Sequence, residues 1–145
     1  MKIKNYTNID IEKIRQIIRA VRPNGISNFD VRISNKSGNG VCGRAYMQGS
    51  SYHDSASPFI VVRVARTDAK ARGIRSPIPG KGYLPHNYGN RTEAMLFVIA
   101  HELRHLWQAK HKRGKVYGAR GRYSERDADA YAIRMLRAYR RNELF

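Results

Sequence analysis

The sequence has a single cysteine and few acids, and no apolar run approaches the ~20 residues of a membrane span. Each scarcity excludes something. One thiol, Cys42, excludes an intramolecular disulfide framework and a multi-cysteine zinc ribbon. A reducing, intracellular compartment is the simplest expectation. The first ten residues carry no apolar core and no small-residue cleavage site, so no secretory signal is expected and the expected location is cytoplasmic. Eleven acids face 28 lysines and arginines, a net charge of +17. A field of that sign favours polyanions: nucleic acid, an anionic membrane face or an acidic protein. The competing explanation is solubility alone. The 145 residues fit one domain, 1–145, with no internal repeat and no linker.

What is present reads as helix, three strands, loop, helix, loop, helix. In 7–22, Ile14, Ile17, Ile18 and Val21 recur at helical spacing, with Thr7 and Asp10 as a capping pair and Pro23-Asn24-Gly25 as the stop. Phe29, Val31 and Ile33 then alternate with polar residues, the period of a half-buried strand. Residues 41–47 and 59–65 read as two more strands. Glycines and prolines break up 66–91, where a long helix or strand is not expected. A helix over 92–110, capped by Thr92, and a helix over 125–141, capped by Ser124 with Asp127, complete the chain. The fold class expected is α+β, with a small, mainly antiparallel sheet of about three strands.

The sharpest feature is His101-Glu102-Leu103-Arg104-His105. From composition alone an H-E-x-x-H arises in about 0.6% of such chains, so chance is a poor account of it. Positions i and i+4 share one helix face, so both imidazoles can reach one ion. Glu102 stands about 100° round the helix, beside the ligands, where it can take a proton from a water. The alternative is a histidine pair held by ordinary helix contacts. A catalytic zinc needs a third protein ligand. Glu125 and Asp129 lie along the apolar stripe of Ala128, Ala132, Met135, Leu136 and Tyr139, and acids on such a stripe need a cation or a hydrogen-bonding partner. A buried arginine would also satisfy them.

His101-Glu102-x-x-His105 followed by Glu125-x-x-x-Asp129 resembles the gluzincin clan of zinc metallopeptidases. The step of 20 residues from His105 to Glu125 is similar to the thermolysin-type arrangement. The compact order resembles the minimal members, the minigluzincins, and 125–132 resembles the third-ligand helix of ImmA/IrrE-type intracellular proteases. The resemblance implies a zincin-like fold with one zinc per chain, held by His101, His105 and Glu125. It implies Glu102 as general base and Asp129 as acceptor for the free N–H of a ligand histidine. Large gluzincins carry a further His or Tyr after the glutamate helix to stabilise the oxyanion. Little follows that helix here, so Tyr83, His86, Tyr88, Tyr117 and Tyr123 are the candidates for oxyanion or substrate contact.

The segment between the two motif helices is basic. Lys110, Lys112, Arg113, Lys115, Arg120 and Arg122 occur with no acid among them, which suits phosphate backbones, although a solvated loop would look the same. A second basic run spans 63–81. Cys42 reads as a small buried hydrophobe, and His53 with Asp54 as a solvated turn.

Three functions follow as expectations. The first is a zinc metalloendopeptidase, a hydrolase acting on protein or peptide substrates. It could be directed to nucleic-acid-associated proteins by non-specific DNA or RNA binding, by analogy with SprT-like enzymes. The second is a nucleic-acid-binding protein with a structural or vestigial zinc site. The third is an ImmA-like regulatory protease of a mobile element. Oligomeric state is not legible in the residues.

Overall fold

A computed structural model describes residues 1–36, 42–46, 57–74, 84–111 and 122–145, with the side chains of residues 122 and 123 excepted. Their architecture is mixed α/β, with four helices and a four-stranded sheet among the described residues. The strands are β1 (Ile3–Asn5), β2 (Asp30–Asn35), β3 (Cys42–Tyr46) and β4 (Phe59–Val64). The helices are α1 (Ile11–Val21), α2 (Asp68–Arg72), α3 (Arg91–Lys110) and α4 (Arg122–Arg140).

Strand order is β1-β2-β4-β3. β1 pairs with β2 and β2 with β4 in parallel, while β3 pairs with β4 antiparallel. This corrects the mainly antiparallel, three-stranded expectation. Ile3-Lys4-Asn5 is too short to show an alternation. The parallel pairing of β1 and β2 follows from the helix between them, because a crossover returns the chain to the end from which it started. α1 has to bury Ile14, Ile17, Ile18 and Val21, each at most 1% exposed. Burying each contributes about 1.5–3 kcal/mol.

Asp10 alone caps α1, accepting from the Lys13 N–H, while Thr7 serves the preceding turn by accepting from the Ile9 N–H. α1 stops at Arg22, which is extended because Pro23 follows. Gly25, at φ 87°, then takes the third position of a turn closed by the Ile26 N–H on the Pro23 carbonyl.

α3 is capped by Asn90, not Thr92. The Asn90 side chain accepts from the Glu93 N–H at 2.9 Å, and Glu93 reaches back to the Gly89 N–H at 2.8 Å. α4 starts at Arg122, ahead of the expected Ser124 cap, and Asp127 is used elsewhere. α3 is buried on nearly all sides from Glu93 to Leu106. It lies between α4 and the sheet face formed by Val31, Ile33, Ile60, Val62 and Val64, and one apolar cluster joins all of these. The Tyr131 hydroxyl donates to the Val21 carbonyl and ties α4 to the end of α1. Among the described residues no helix is long and apolar enough to cross a membrane.

Candidate metal centre

His101 and His105 stand one turn apart on α3, their rings 4.7 Å apart between centroids. Their Nε2 atoms approach to 3.1 Å. α4 crosses this face and brings the Glu125 carboxylate between them, Oε2 at 3.0 Å from His101 Nε2 and Oε1 at 3.2 Å from His105 Nε2. Donor atoms around a tetrahedral zinc at 2.0–2.1 Å would be about 3.3 Å apart, so the three side chains already have close to the spacing a small cation needs.

The outer nitrogens of the two rings are also engaged. His101 Nδ1 lies 2.8 Å from Asp129 Oδ1, close enough for an ion pair but off the line of a straight hydrogen bond. Asp129 is 1% exposed, and its other oxygen accepts the Leu84 N–H at 2.9 Å. His105 Nδ1 lies 2.9 Å from Gln108 Oε1. The Gln108 amide nitrogen donates to the Ser124 carbonyl and to Asp127 Oδ2, both at 2.9 Å. Two acceptors on that side fix the amide with its oxygen toward His105. Nδ1 of His105 therefore carries the hydrogen, and Nε2 is the nitrogen left for a metal.

Glu102 occupies the position expected of it, beside the histidines. It is 6% exposed, and its Oε1 is 3.7 Å from His101 Nε2. Burial pushes its carboxyl up, with His101, His105 and Arg44 opposing and Glu125 reinforcing. His101, Glu102 and His105 form a group that could hold a metal ion. Of the two glutamates, Glu125 makes the shorter contacts with both imidazoles.

The electrostatics have one theme. Burial alone would lower the His101 pKa, but Asp129 and Glu125 outweigh it and raise it to about 10. His105 is raised in the same way, by Glu125 against burial. Burial would raise the Glu125 carboxyl, yet the two histidines hold it well below the usual carboxylate range. Three carboxylates around two imidazoles call for about two positive charges. Two protons supply them, and so would one divalent cation, with release of those protons.

Compared with family models, curated proteins and solved structures, the chain has no match. The reading of the site therefore rests on its own geometry.

The remaining candidates divide. His86 Nδ1 lies 2.7 Å from the Leu84 carbonyl and Nε2 3.0 Å from the Tyr88 hydroxyl, and the ring stacks on Phe97 at 3.9 Å. Burial lowers the His86 pKa and raises that of the 6%-exposed Tyr88. In this arrangement the two residues brace the segment that carries Leu84 to Asp129. Lys110 donates to the Gly25 carbonyl. Tyr83, Tyr117, Lys112, Arg113, Lys115 and Arg120 lie outside the described residues, as do His53, Asp54 and the side chains of Arg122 and Tyr123.

Sequence reasoning missed three residues. Gln108 sets the His105 tautomer; its signal was its place three residues after His105 on the same helix. Asp127 takes Arg104 in a two-point ion pair, at 2.8 and 3.1 Å, and so locks α4 to α3. Gly43 of β3 lies against Glu102.

Proposed function

We propose that the protein is a zinc-dependent peptidase of the gluzincin type, with His101, His105 and Glu125 as metal ligands and Glu102 as general base. The observation that carries this reading is the convergence of two Nε2 atoms and one carboxylate from two helices at 3.0–3.2 Å, with a second, buried carboxylate alongside. A zinc ion held there supplies Lewis acidity, polarising a peptide carbonyl and lowering the pKa of a bound water toward about 7.

The chain's own residues supply the rest. Glu102 takes the proton of the attacking water and returns it to the leaving amine. Its burial serves the first step, since a carboxylate held out of water binds a proton more tightly and is a stronger base. Asp129 and Gln108 hold the two ligand imidazoles in orientation. β3 supports the peptide reading. It pairs only with β4 among the described residues, it is antiparallel to that neighbour, and Gly43 brings its backbone against Glu102. An extended substrate can add to such an edge through main-chain hydrogen bonds.

Metal analysis combined with digestion of a peptide library tests the proposal. The unmodified protein should carry one zinc per chain and cleave peptides. His105→Ala should lose the zinc. Glu102→Gln should keep zinc and fold but lose hydrolysis. Full zinc content in the His105→Ala protein, or loss of zinc in Glu102→Gln, overturns the assignment of roles.

A further inference from the structure

The sheet has a second face, directed away from the helices. On β4, Ile60, Val62 and Val64 point into the core, so Phe59, Val61 and Arg63 point outward. The register carries that direction across the sheet. Val61 is opposite Arg32 on one side and Arg44 on the other, and Arg32 is opposite Lys4. One transverse row therefore reads Lys4, Arg32, Val61, Arg44, spanning about 14 Å at the usual strand spacing. In the next row Arg63 is opposite Cys42, and the Lys36 ammonium comes within 3.8 Å of the same sulfur that the Arg63 guanidinium approaches to 3.9 Å.

Five cations thus share one face, Arg44 at the edge strand also standing near enough to act on Glu102. None of them is in an ion pair among the described residues. Asp30 is the one acid that the register puts on this face within the described strands, and it accepts the Lys2 N–H. Lys4 and Arg32 are direct cross-strand neighbours, an arrangement of like charges that weakens a sheet. A folded protein that concentrates unpaired cations on a flat surface, against this repulsion, is suited to a polyanion. Half-buried Val61 lies between Arg32 and Arg44, and in the row beyond it, beside Asp30, Tyr46 and Phe59 stack at 4.5 Å with their planes 9° apart.

We infer that this outer face of the sheet is a docking surface for single-stranded nucleic acid. The cations take the phosphates, and Val61 with the adjoining Tyr46 and Phe59 meets bases, which a single strand exposes and a duplex hides. The surface uses none of the basic residues between α3 and α4, and it lies on the opposite side of the sheet from the helix that carries His101 and His105. It does not depend on the peptidase reading.

Fluorescence anisotropy with a labelled mixed-sequence single-stranded 20-mer, titrated between ~50 and ~300 mM salt, tests the inference. A triple variant, Lys4→Ser, Arg32→Ser and Arg63→Ser, should bind at least about tenfold more weakly at ~150 mM salt. Its log–log salt slope should flatten by about 2 units, near 0.7 for each lost single-strand contact. A control that removes the same charge from exposed helix positions, Lys13→Ser, Arg19→Ser and Arg137→Ser, should change affinity less than about twofold. Lysine at Arg32 and Arg63 should retain binding, which separates charge loss from misfolding, and circular dichroism checks the fold of each variant. Absence of binding by the unmodified protein at ~50 mM salt overturns the inference. So do equal losses in the two triple variants, or unaltered binding by the sheet variant. Loss of duplex or anionic-vesicle binding in the sheet variant, with single-strand binding intact, overturns it as well by assigning the face to another partner.

Discussion

Gly43 and Glu102 are in contact through the absence of a side chain. A β-carbon at residue 43 would stand 2.7 Å from Glu102 Cγ and 2.6 Å from Val98 Cγ1. Glycine is what lets β3 approach α3 at this level. Gly43→Ala must displace either the edge strand or the Glu102 side chain, since α3 is buried and cannot retreat. Overpacking of this kind costs about 1–3 kcal/mol. Peptide hydrolysis should fall at least about tenfold while zinc content stays at one per chain. Unchanged turnover would mean that Glu102 tolerates the shift and that its position is less constrained than the contact implies.

Asp129→Ala should weaken zinc affinity by roughly 10–100-fold, measured by competition with a chromogenic chelator, without removing a direct ligand. The Leu84 N–H would lose its acceptor as well. An affinity equal to that of the unmodified protein would reduce Asp129 to a packing role.

Gln108→Leu removes the acceptor for His105 Nδ1 and the amide donor to the Ser124 carbonyl and to Asp127 Oδ2, which keeps Arg104. The fold should lose about 1–3 kcal/mol with these buried hydrogen bonds. Zinc affinity should also fall, by about tenfold, because the imidazole tautomer is no longer held. Denaturant unfolding and chelator competition read the two effects separately, and a stability loss with intact affinity would deny Gln108 any part in orienting the ring.

Glu93 predicts a pH dependence. Burial would raise its carboxyl, but the Arg140 guanidinium, at 2.7 Å, and the Gly89 N–H hold it below its ordinary value of 4.5. A carboxyl depressed in the folded state stabilises the fold above the unfolded pKa, and that contribution is lost as pH falls through the folded value. Asp127, held down by Arg104 and Gln108 against burial, acts in the same direction. Thermal stability should therefore drop as pH falls below about 4.5, and Glu93→Gln should flatten part of that drop while lowering stability at pH 7. Parallel melting curves against pH for the two proteins would contradict the assignment.

Tyr131→Phe should leave zinc binding intact and destabilise the fold. The hydroxyl serves the Val21 carbonyl, one of those that a helix end leaves without an internal partner. Losing it should cost about 1–3 kcal/mol. At about 3 °C per kcal/mol for a chain of this size, Tm should fall by about 3–9 °C. No change would mean that water replaces the hydroxyl.

The parts of this architecture that were legible are those encoded at short range. The i, i+4 spacing of His101 and His105 brings both Nε2 atoms to one point, and the Glu125, Asp129 pair on the apolar stripe of α4 is turned toward them. The strand core at Val31 and Ile33 followed from alternation, and β4 from its β-branched residues. Features that needed a distant partner were not legible. The partners of Asp127 are Arg104 and Gln108 on another helix, so Ser124-x-x-Asp127 resembled a cap it does not form. Asn90-x-x-Glu93 is itself a capping pattern, stronger than a lone Thr92, but the periodic apolar residues begin later and point to Thr92. Parallel pairing depends on where the chain goes after α1, and no local pattern records that path.

The order of the site along the chain has a consequence for its synthesis. The sheet, α1 and both histidines precede Glu125 and Asp129. At about 5–20 residues per second, the 20 positions from His105 to Glu125 take a ribosome about 1–4 s. Through that interval the nascent chain has paired imidazoles but no carboxylate from α4 to complete them. A metal ion held by His101, His105 and Glu125 could thus gain its third ligand only after the residues of the scaffold that shields Glu102 have been made.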